Sequence, residues 1–280
     1  MVHGVQNSKI ASNFLLGKLL RKAFVRLGYH SKPAFIIIGA QKAGTTVLFD
    51  MLTQHPKIVG PLRKELHFFD DFEIRYGDFS AYHDAFPLPH QLLFGKITFE
   101  GTPSYLYDRE CAQRIYDYSP NMKLIAILRD PVRRAYSAWN MYRKFATSPD
   151  PLLRKNAELR TFEEAVLADL KVIDRTEWSN NLIAYVKRGI YVEQLQRCFQ
   201  KFPRESCLVL DQWELLHNTE KCLAETCQFL NIDDKFQFRV ERRASTYENV
   251  IPQRTADILR SFYAPYNRDL FKLLGKEFNW

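Results

Sequence analysis

The stretch FIIIGAQKAGTTVLFDMLTQHP, Phe35 to Pro56, constrains the fold of this chain more than any other. Phe35 to Ile38 is a short, β-branched apolar run stopped by Gly39, the pattern of a buried strand entering a tight loop. Helical spacing resumes at Thr46 and runs through Leu48, Met51 and Leu52 to Gln54. Strand, glycine-bounded loop and helix in that order aim backbone N–H groups and the positive end of a helix at one point, which suits a phosphate. The NTPase phosphate loop reads G-x-x-x-x-G-K-[ST]. Gly39 and Gly44 keep its glycine spacing, but Thr45 stands where the lysine should follow, and Lys42 lies inside the loop. Thr45 and Thr46 add hydroxyl donors, and Lys42 is placed to neutralise charge that develops on a leaving oxygen.

Two more apolar runs repeat the theme. KLIAILR, Lys123 to Arg129, ends in Asp-Pro, and the following VRRAYSAWNMYRKF is helical with Pro131 at a favoured first position. CLVL, Cys207 to Leu210, precedes a helical stretch from Leu216 to Leu230. Alternating strand and helix predict an α/β fold with a central parallel sheet flanked by helices. Ser148 to Trp178 reads as a polar, helix-prone excursion over the active face, and Ile251 to Gly275 as a long helix interrupted near Pro265. The closing KEFNW is expected to pack onto the domain. At 280 residues and 46% hydrophobic, the chain can bury one large core. The expected division is a basic amphipathic segment, 1–33, and one domain, 34–280.

Charge separates these two parts. Of the formal net charge of +8, six positive charges come from Lys9, Lys18, Arg21, Lys22, Arg26 and Lys32, in a segment without Asp or Glu. The rest is nearly balanced, which argues against a nucleic-acid partner. The segment also carries Phe14, Leu15, Leu16, Leu19, Leu20 and Phe24. It reads either as a contact for anionic lipid or an acidic partner, or as a helix packed on its own domain with a solvated basic face. It has neither the long apolar core nor the cleavage site of a signal peptide, and no run in the sequence is long and apolar enough for a membrane-spanning helix. Five cysteines without a C-x-x-C pair or zinc spacing favour reduced thiols and no metal. With no glycosylation sequon present, the cytoplasm is the expected compartment.

GAQKAGTTVLFDMLTQHP, followed by KELHFFD and later by ILRDPVRRAYSAW, resembles the PAPS-dependent sulfotransferases, most closely the heparan sulfate type, from about residue 34 to 280. The resemblance implies the P-loop-like sulfotransferase fold, PAPS as sulfuryl donor, PAP as product and no metal. By the same resemblance Lys42, Ala43, Gly44, Thr45 and Thr46 cradle the 5′-phosphosulfate, with Lys42 at the bridging oxygen. Arg129 and Ser137 hold the 3′-phosphate, and Arg188 and Tyr191 lie near the donor. Glu65 matches the family's catalytic carboxylate, expected as a buried base, and His67 is the competing base. Phe68, Phe69, Thr102, Pro103 and Tyr105 fall in segments that line the acceptor cleft. Two departures stand out. Glu100-Gly101 replaces a Glu-Lys pair, and FRVERRASTYENVIPQRT replaces a lysine-glycine-arginine loop over the donor, where Arg242 or Arg243 would substitute.

The acceptor is expected to be a small molecule, because a nearly neutral core offers no long basic groove for a glycosaminoglycan. Sulfotransferases that tailor toxins of the saxitoxin type are one group such an enzyme resembles. The alternatives are a heparan-type glycan sulfotransferase and, from another class, a P-loop kinase or NTPase with Asp211 at its magnesium-binding strand. The missing G-K-[ST] argues against the last, and intact Lys42, Glu65, Arg129 and Ser137 argue against an inactive scaffold.

Overall fold

The computed structural model describes residues 16–71, 78–173, 184–239 and 250–280. A first helix, α1 (residues 16–26), precedes β1 (Phe35–Gly39), α2 (Thr45–Leu52), β2 (Ile58–Val59), α3 (Ser80–His83) and β3 (Ile97–Gly101). Then follow α4 (Cys111–Tyr118), β4 (Lys123–Leu128), α5 (Pro131–Lys144), α6 (Pro151–Lys155), α7 (Phe162–Leu170) and α8 (Tyr191–Phe199). The chain closes with β5 (Cys207–Asp211), α9 (Gln212–His217), α10 (Thr219–Leu230) and α11 (Gln253–Leu274).

The strands form one parallel sheet in the order β2-β3-β1-β4-β5, with Phe35 opposite both Phe99 and Lys123, and Leu124 opposite Cys207. All five residues of β1 are buried, as expected of a strand at the centre of a parallel sheet covered on both faces. After β1 the chain turns towards β2 and β3, and only later crosses to β4 and β5. Loops leaving β1 and β4 therefore diverge, and the crevice at their carboxyl ends is where α/β sheets of this kind bind ligands. Asp130 accepts from Val132 N at 2.8 Å and from Arg133 N at 3.4 Å, so Asp-Pro starts α5 with a side-chain cap and a proline that loses no bond.

Two strands were not legible in the sequence: β2 is only two residues long, and in β3 Thr98 and Glu100 are polar yet fully buried. Three expectations need correction. Leu216 to Leu230 is not one helix: Asn218, at φ −123°, separates α9 from α10. Pro265 does not interrupt α11, which runs continuously through it; the proline is exposed, so the carbonyl it leaves without a donor can be met by water. Finally, α1 packs on the protein through Val25 and Arg21 with Lys18, Lys22 and Arg26 exposed, as a packed helix with a solvated basic side would, but its leucines face outward instead of into the domain. Its end is closed by Gly28 at φ 89°, with Gly28 N–H donating to Val25 O at 3.0 Å and Tyr29 N–H to Phe24 O at 2.9 Å.

The excursion after α5 contains α6 and α7, and its residues 174–178 lie outside the described ones. The aromatic tail packs as expected: Trp280 meets Tyr191 at 5.8 Å between ring centroids and donates to Asp211 at 3.4 Å. All five cysteines are free and buried. Among the described residues, no helix is long and apolar enough to cross a membrane.

Candidate active site

The loop Gly39–Gly44 sits at the crevice. Gly44 is the N-cap of α2 at φ 99°, a left-handed conformation that only glycine adopts cheaply, and no side chain caps the helix. The first-turn N–H groups of α2 are thus left for an anion. Gly39 is needed for closeness, since a Cβ there would lie 2.6 Å from Leu106 Cβ and 3.0 Å from Pro103 O. Leu106 N–H donates to Ile38 O at 2.7 Å and Thr102 N–H to Ile37 O at 3.1 Å, so the segment after β3 is stitched to the end of β1. Lys42 adopts φ 68° and rests its Nζ against Met141 Sδ of α5 at 3.7 Å.

Arg129, at the end of β4, donates through Nη1 to Lys42 O at 3.0 Å and so joins the two halves of the crevice. Its own carbonyl accepts from Tyr191 Oη at 2.9 Å. Tyr191 is buried, and its hydroxyl holds Arg129 in place. Ser137 is buried on α5, about two turns beyond Pro131. Two further guanidinium groups are buried here. Arg188 stacks over Tyr107 at 4.2 Å, and Arg134 donates to Tyr185 O. Arg129 Nε, Arg188 Nε, Arg134 Nε and Arg134 Nη1 have no hydrogen-bond partner. Burial pulls the pKa of Arg129 and of Arg188 down from the usual arginine value. Buried, incompletely paired cations at the end of a parallel sheet call for an anion. Arg242 and Arg243 lie outside the described residues.

Across the crevice stands a linked set of carboxylates and an imidazole. Glu65 and His67 both take left-handed backbone conformations, φ 51° and 52°, so with Lys42 they put three strained non-glycine residues at one site. Glu65 N–H donates to Gly101 O at 3.2 Å and His67 N–H to Thr102 Oγ1 at 3.4 Å. His67 Nδ1 bonds Asp70 Oδ2 at 2.8 Å, and His67 Nε2 lies 3.8 Å from Glu65 Oε2. Ser104 Oγ donates to the same Asp70 oxygen. The hydrogen bond to Asp70, then the approach of Glu65, raises the His67 pKa to about 10. Burial pushes the Asp70 carboxyl upward, but the hydrogen bonds of His67 and Ser104 prevail and hold it below its usual value. His67 is therefore an imidazolium at neutral pH, with both ring nitrogens directed at carboxylates. Glu65 is half exposed, which corrects the expectation of a buried base.

Beneath this loop lies Glu100 of the Glu100-Gly101 pair, fully buried. It accepts from Tyr82 Oη at 2.6 Å, Thr102 Oγ1 at 2.8 Å and Tyr105 Oη at 2.6 Å, and burial pushes its pKa up to about 7. Tyr105 Oη also accepts the N–H groups of Phe68 at 2.8 Å and Phe69 at 3.2 Å. Phe69, Thr102 and Tyr105 are buried, so the cleft-lining role expected for them is corrected: they form the bed on which the Glu65–His67 loop rests. Phe68, whose ring stacks on Tyr82 at 4.6 Å, and Pro103 are only half buried. The roles of Asp70, Ser104 and Glu100 were missed. Asp70 alone had a local signal, as the carboxylate three residues after His67 in HFFD.

A doubly flanked parallel sheet with a glycine-bounded loop leading into an uncapped helix after its first strand, and a carboxylate–imidazolium set at the end of the adjoining strand β3, has the layout of a group-transfer enzyme of the P-loop-like class. Within that class, residues 32–251 match the family model described as Sulfotransferase domain, and the chain belongs to this family of PAPS-dependent enzymes. The chain is 28% identical to mouse (Mus musculus) heparan sulfate glucosamine 3-O-sulfotransferase 3B1 over 92% of its own length and 67% of that protein's. With the human (Homo sapiens) 3A1 enzyme it shares 29% identity over 90% of this chain and 63% of that one. It thus spans about two thirds of the length of these relatives. The crystal structure of a sulfotransferase from Alicyclobacillus acidocaldarius superposes with a TM-score of 0.67 at 28% identity, covering 89% of this chain and 98% of that one. Family membership sets aside the kinase and NTPase reading.

Proposed function

We propose that this protein transfers a sulfuryl group from PAPS to a hydroxyl or nitrogen of a small-molecule acceptor, without a metal, in the cytoplasm. The observation that carries this reading is the Arg129–Lys42 link, which holds a guanidinium from the end of β4 against the glycine-bounded loop after β1. The uncapped first turn of α2 and the unpartnered Arg129 and Arg188 nitrogens fit a bisphosphorylated nucleotide. When bound, PAPS supplies an activated sulfuryl group whose S–O bond to the 5′-phosphate breaks as the acceptor atom bonds sulfur.

The chain's own residues then divide the remaining work. Gly44, Thr45 and Thr46 present N–H and hydroxyl donors to the 5′ side, with Ala43 completing the turn. Lys42 meets the charge on the departing oxygen, while Arg129 and Ser137 hold the 3′-phosphate. Glu65 takes the acceptor proton. His67, held cationic between Asp70 and Glu65, orients Glu65 and has no lone pair with which to act as base.

Two observations support the small acceptor. Only two of the eight net positive charges remain outside residues 1–33. Gly101, where a lysine would face a polyanion, has little room: a Cβ there would meet Phe49 Cδ2 at 3.2 Å. Compounds of the saxitoxin type, with several amines and hydroxyls, are one class to try. The heparan sulfate activity in the relatives' names favours the second reading, a glycan acceptor. Radiolabelled PAPS offered with heparan-type oligosaccharides and with a panel of small alcohols and amines, with and without EDTA, tests both. Exclusive labelling of oligosaccharide would overturn the acceptor assignment, and activity lost in EDTA and restored by magnesium would overturn the metal-free one.

A further inference from the structure

On the surface helix of a globular protein the apolar stripe faces the core. In α1 it faces away. Leu16, Leu19, Leu20 and Phe24, with Leu27 just beyond, recur at i, i+3 and i+4, and all are exposed, Phe24 by 48% and Leu27 by 83%. The side turned to the protein is held by Val25, 3% exposed, and by Arg21, which donates to Asp84 Oδ1 at 3.1 Å and to the carbonyls of Asp84 and Phe86. These contacts fix the rotation of the helix, so the leucines cannot turn inward without breaking them.

Charge identifies what covers the stripe. Residues 1–33 contain no Asp or Glu, and at 100° per residue Lys18, Lys22 and Arg26 form one flank of the apolar face. A cavity of about 460 Å³ opens beside α1, lined by Lys22, Arg26, Arg63 and Ser80. Its carboxylate, Asp84, is already paired with Arg21, and among the described residues no carboxylate pairs with Lys22, Arg26 or Arg63. A second copy of the chain would bring two wholly basic flanks together. A helix with exposed Leu and Phe, a cationic border and no acid suits the headgroup plane of a bilayer instead.

We propose that α1 lays this protein on an anionic lipid surface, with Leu20, Phe24 and Leu27 in the acyl boundary and a headgroup phosphate at Lys22, Arg26 and Arg63. This surface is separate from the crevice and does not depend on the acceptor or donor assigned there.

Co-sedimentation of the full chain with extruded vesicles tests it, comparing phosphatidylcholine alone with a mixture containing about one third phosphatidylglycerol. Binding is expected only to the anionic vesicles, and to weaken as salt rises. Each basic residue near such a surface is worth roughly fivefold in partitioning, so Lys22→Glu with Arg26→Glu should lower binding at least tenfold. Leu27→Asp and Phe24→Asp should each do so as well. Melting temperature and PAP affinity should stay at the wild-type values, which separates lost docking from lost folding. Equal binding to neutral vesicles, or none to either, overturns the proposal. So does anionic binding that survives all of these substitutions. A dimer by light scattering that Phe24→Asp dissolves, with no vesicle binding, would assign the stripe to a second copy instead.

Discussion

Tyr105 donates its phenolic hydrogen to Glu100 Oε1 at 2.6 Å and, through the same oxygen, accepts the Phe68 N–H at 2.8 Å. One hydroxyl thus ties a buried carboxylate at the end of β3 to the loop that carries Glu65 and His67. Replacing Tyr105 by Phe keeps the ring but strands Phe68 and Phe69 N–H and removes a donor from Glu100. Each buried polar group left unmade costs about 1–3 kcal/mol. Tyr105→Phe should therefore lower the melting temperature and lower kcat, while PAP affinity in calorimetry stays unchanged because the phosphate loop is untouched. A variant with normal kcat would separate Tyr105 from the positioning of Glu65.

The same carboxylate sets a pH dependence of stability. Glu100 has a pKa near 7 in the folded protein against an ordinary 4.5, so the folded state holds its proton over a range in which the unfolded chain has lost it. Stability from this group is fully present below about pH 4.5, falls as pH rises to about 7, and changes no further above that. A shift of this size corresponds to at most about 3 kcal/mol. Denaturant midpoints for wild type and Glu100→Gln between pH 4.5 and 7 should differ in slope, the variant being flatter. His67, raised to about 10, acts in a different window: its contribution is complete below 6.5 and is lost as pH rises through 10. Parallel slopes between pH 4.5 and 7 would show that Glu100 stays ionised throughout.

What the sequence made legible is what local chemistry encodes. Strand, glycine-bounded loop and helix at Phe35–Leu52, and strand, Asp-Pro and helix at Lys123–Lys144, need no partner to be recognised, and both lie where they were expected. The role of Glu100 was hidden because its significance lies in Tyr82, Thr102 and Tyr105 around it. The state of His67 was hidden for a related reason. Asp70 is a neighbour in sequence, but the φ values of Glu65 and His67 decide that both carboxylates face one imidazole. Pro265 misled because propensity alone does not report which side of a helix meets water.

Arg129 is expected to dominate recognition of the donor's 3′-phosphate. Its guanidinium is fixed by Lys42 O and its carbonyl by Tyr191, leaving the buried Nε without a partner. Arg129→Lys keeps the charge but not the planar fork. At about 1.5–3 kcal/mol per charged hydrogen bond, adenosine 3′,5′-bisphosphate should bind roughly ten- to a hundredfold more weakly, and adenosine 5′-phosphate nearly as before. An equal loss for both nucleotides would place Arg129 in loop stability rather than in reading the 3′-phosphate.

The division of labour between Glu65 and His67 is the most exposed prediction. A positioned base contributes about a hundred- to ten-thousandfold in rate, so Glu65→Gln should lower kcat by that order with PAP affinity unchanged. His67→Ala should cost less, because it removes an orienting cation and not the proton acceptor. Asp70→Asn provides the discriminating measurement. The largest cause of the high His67 pKa is its bond to Asp70, and with that carboxylate neutralised, the imidazole resonances should titrate much closer to the ordinary 6.5. If His67 serves only as the cation that orients Glu65, the Asp70→Asn enzyme should lose activity as pH rises through the new His67 pKa, where wild type does not. Were His67 the base, the same substitution would free its lone pair, and activity would rise over that interval. The direction of the pH–rate change in Asp70→Asn, together with the kcat of Glu65→Gln, therefore assigns the proton acceptor.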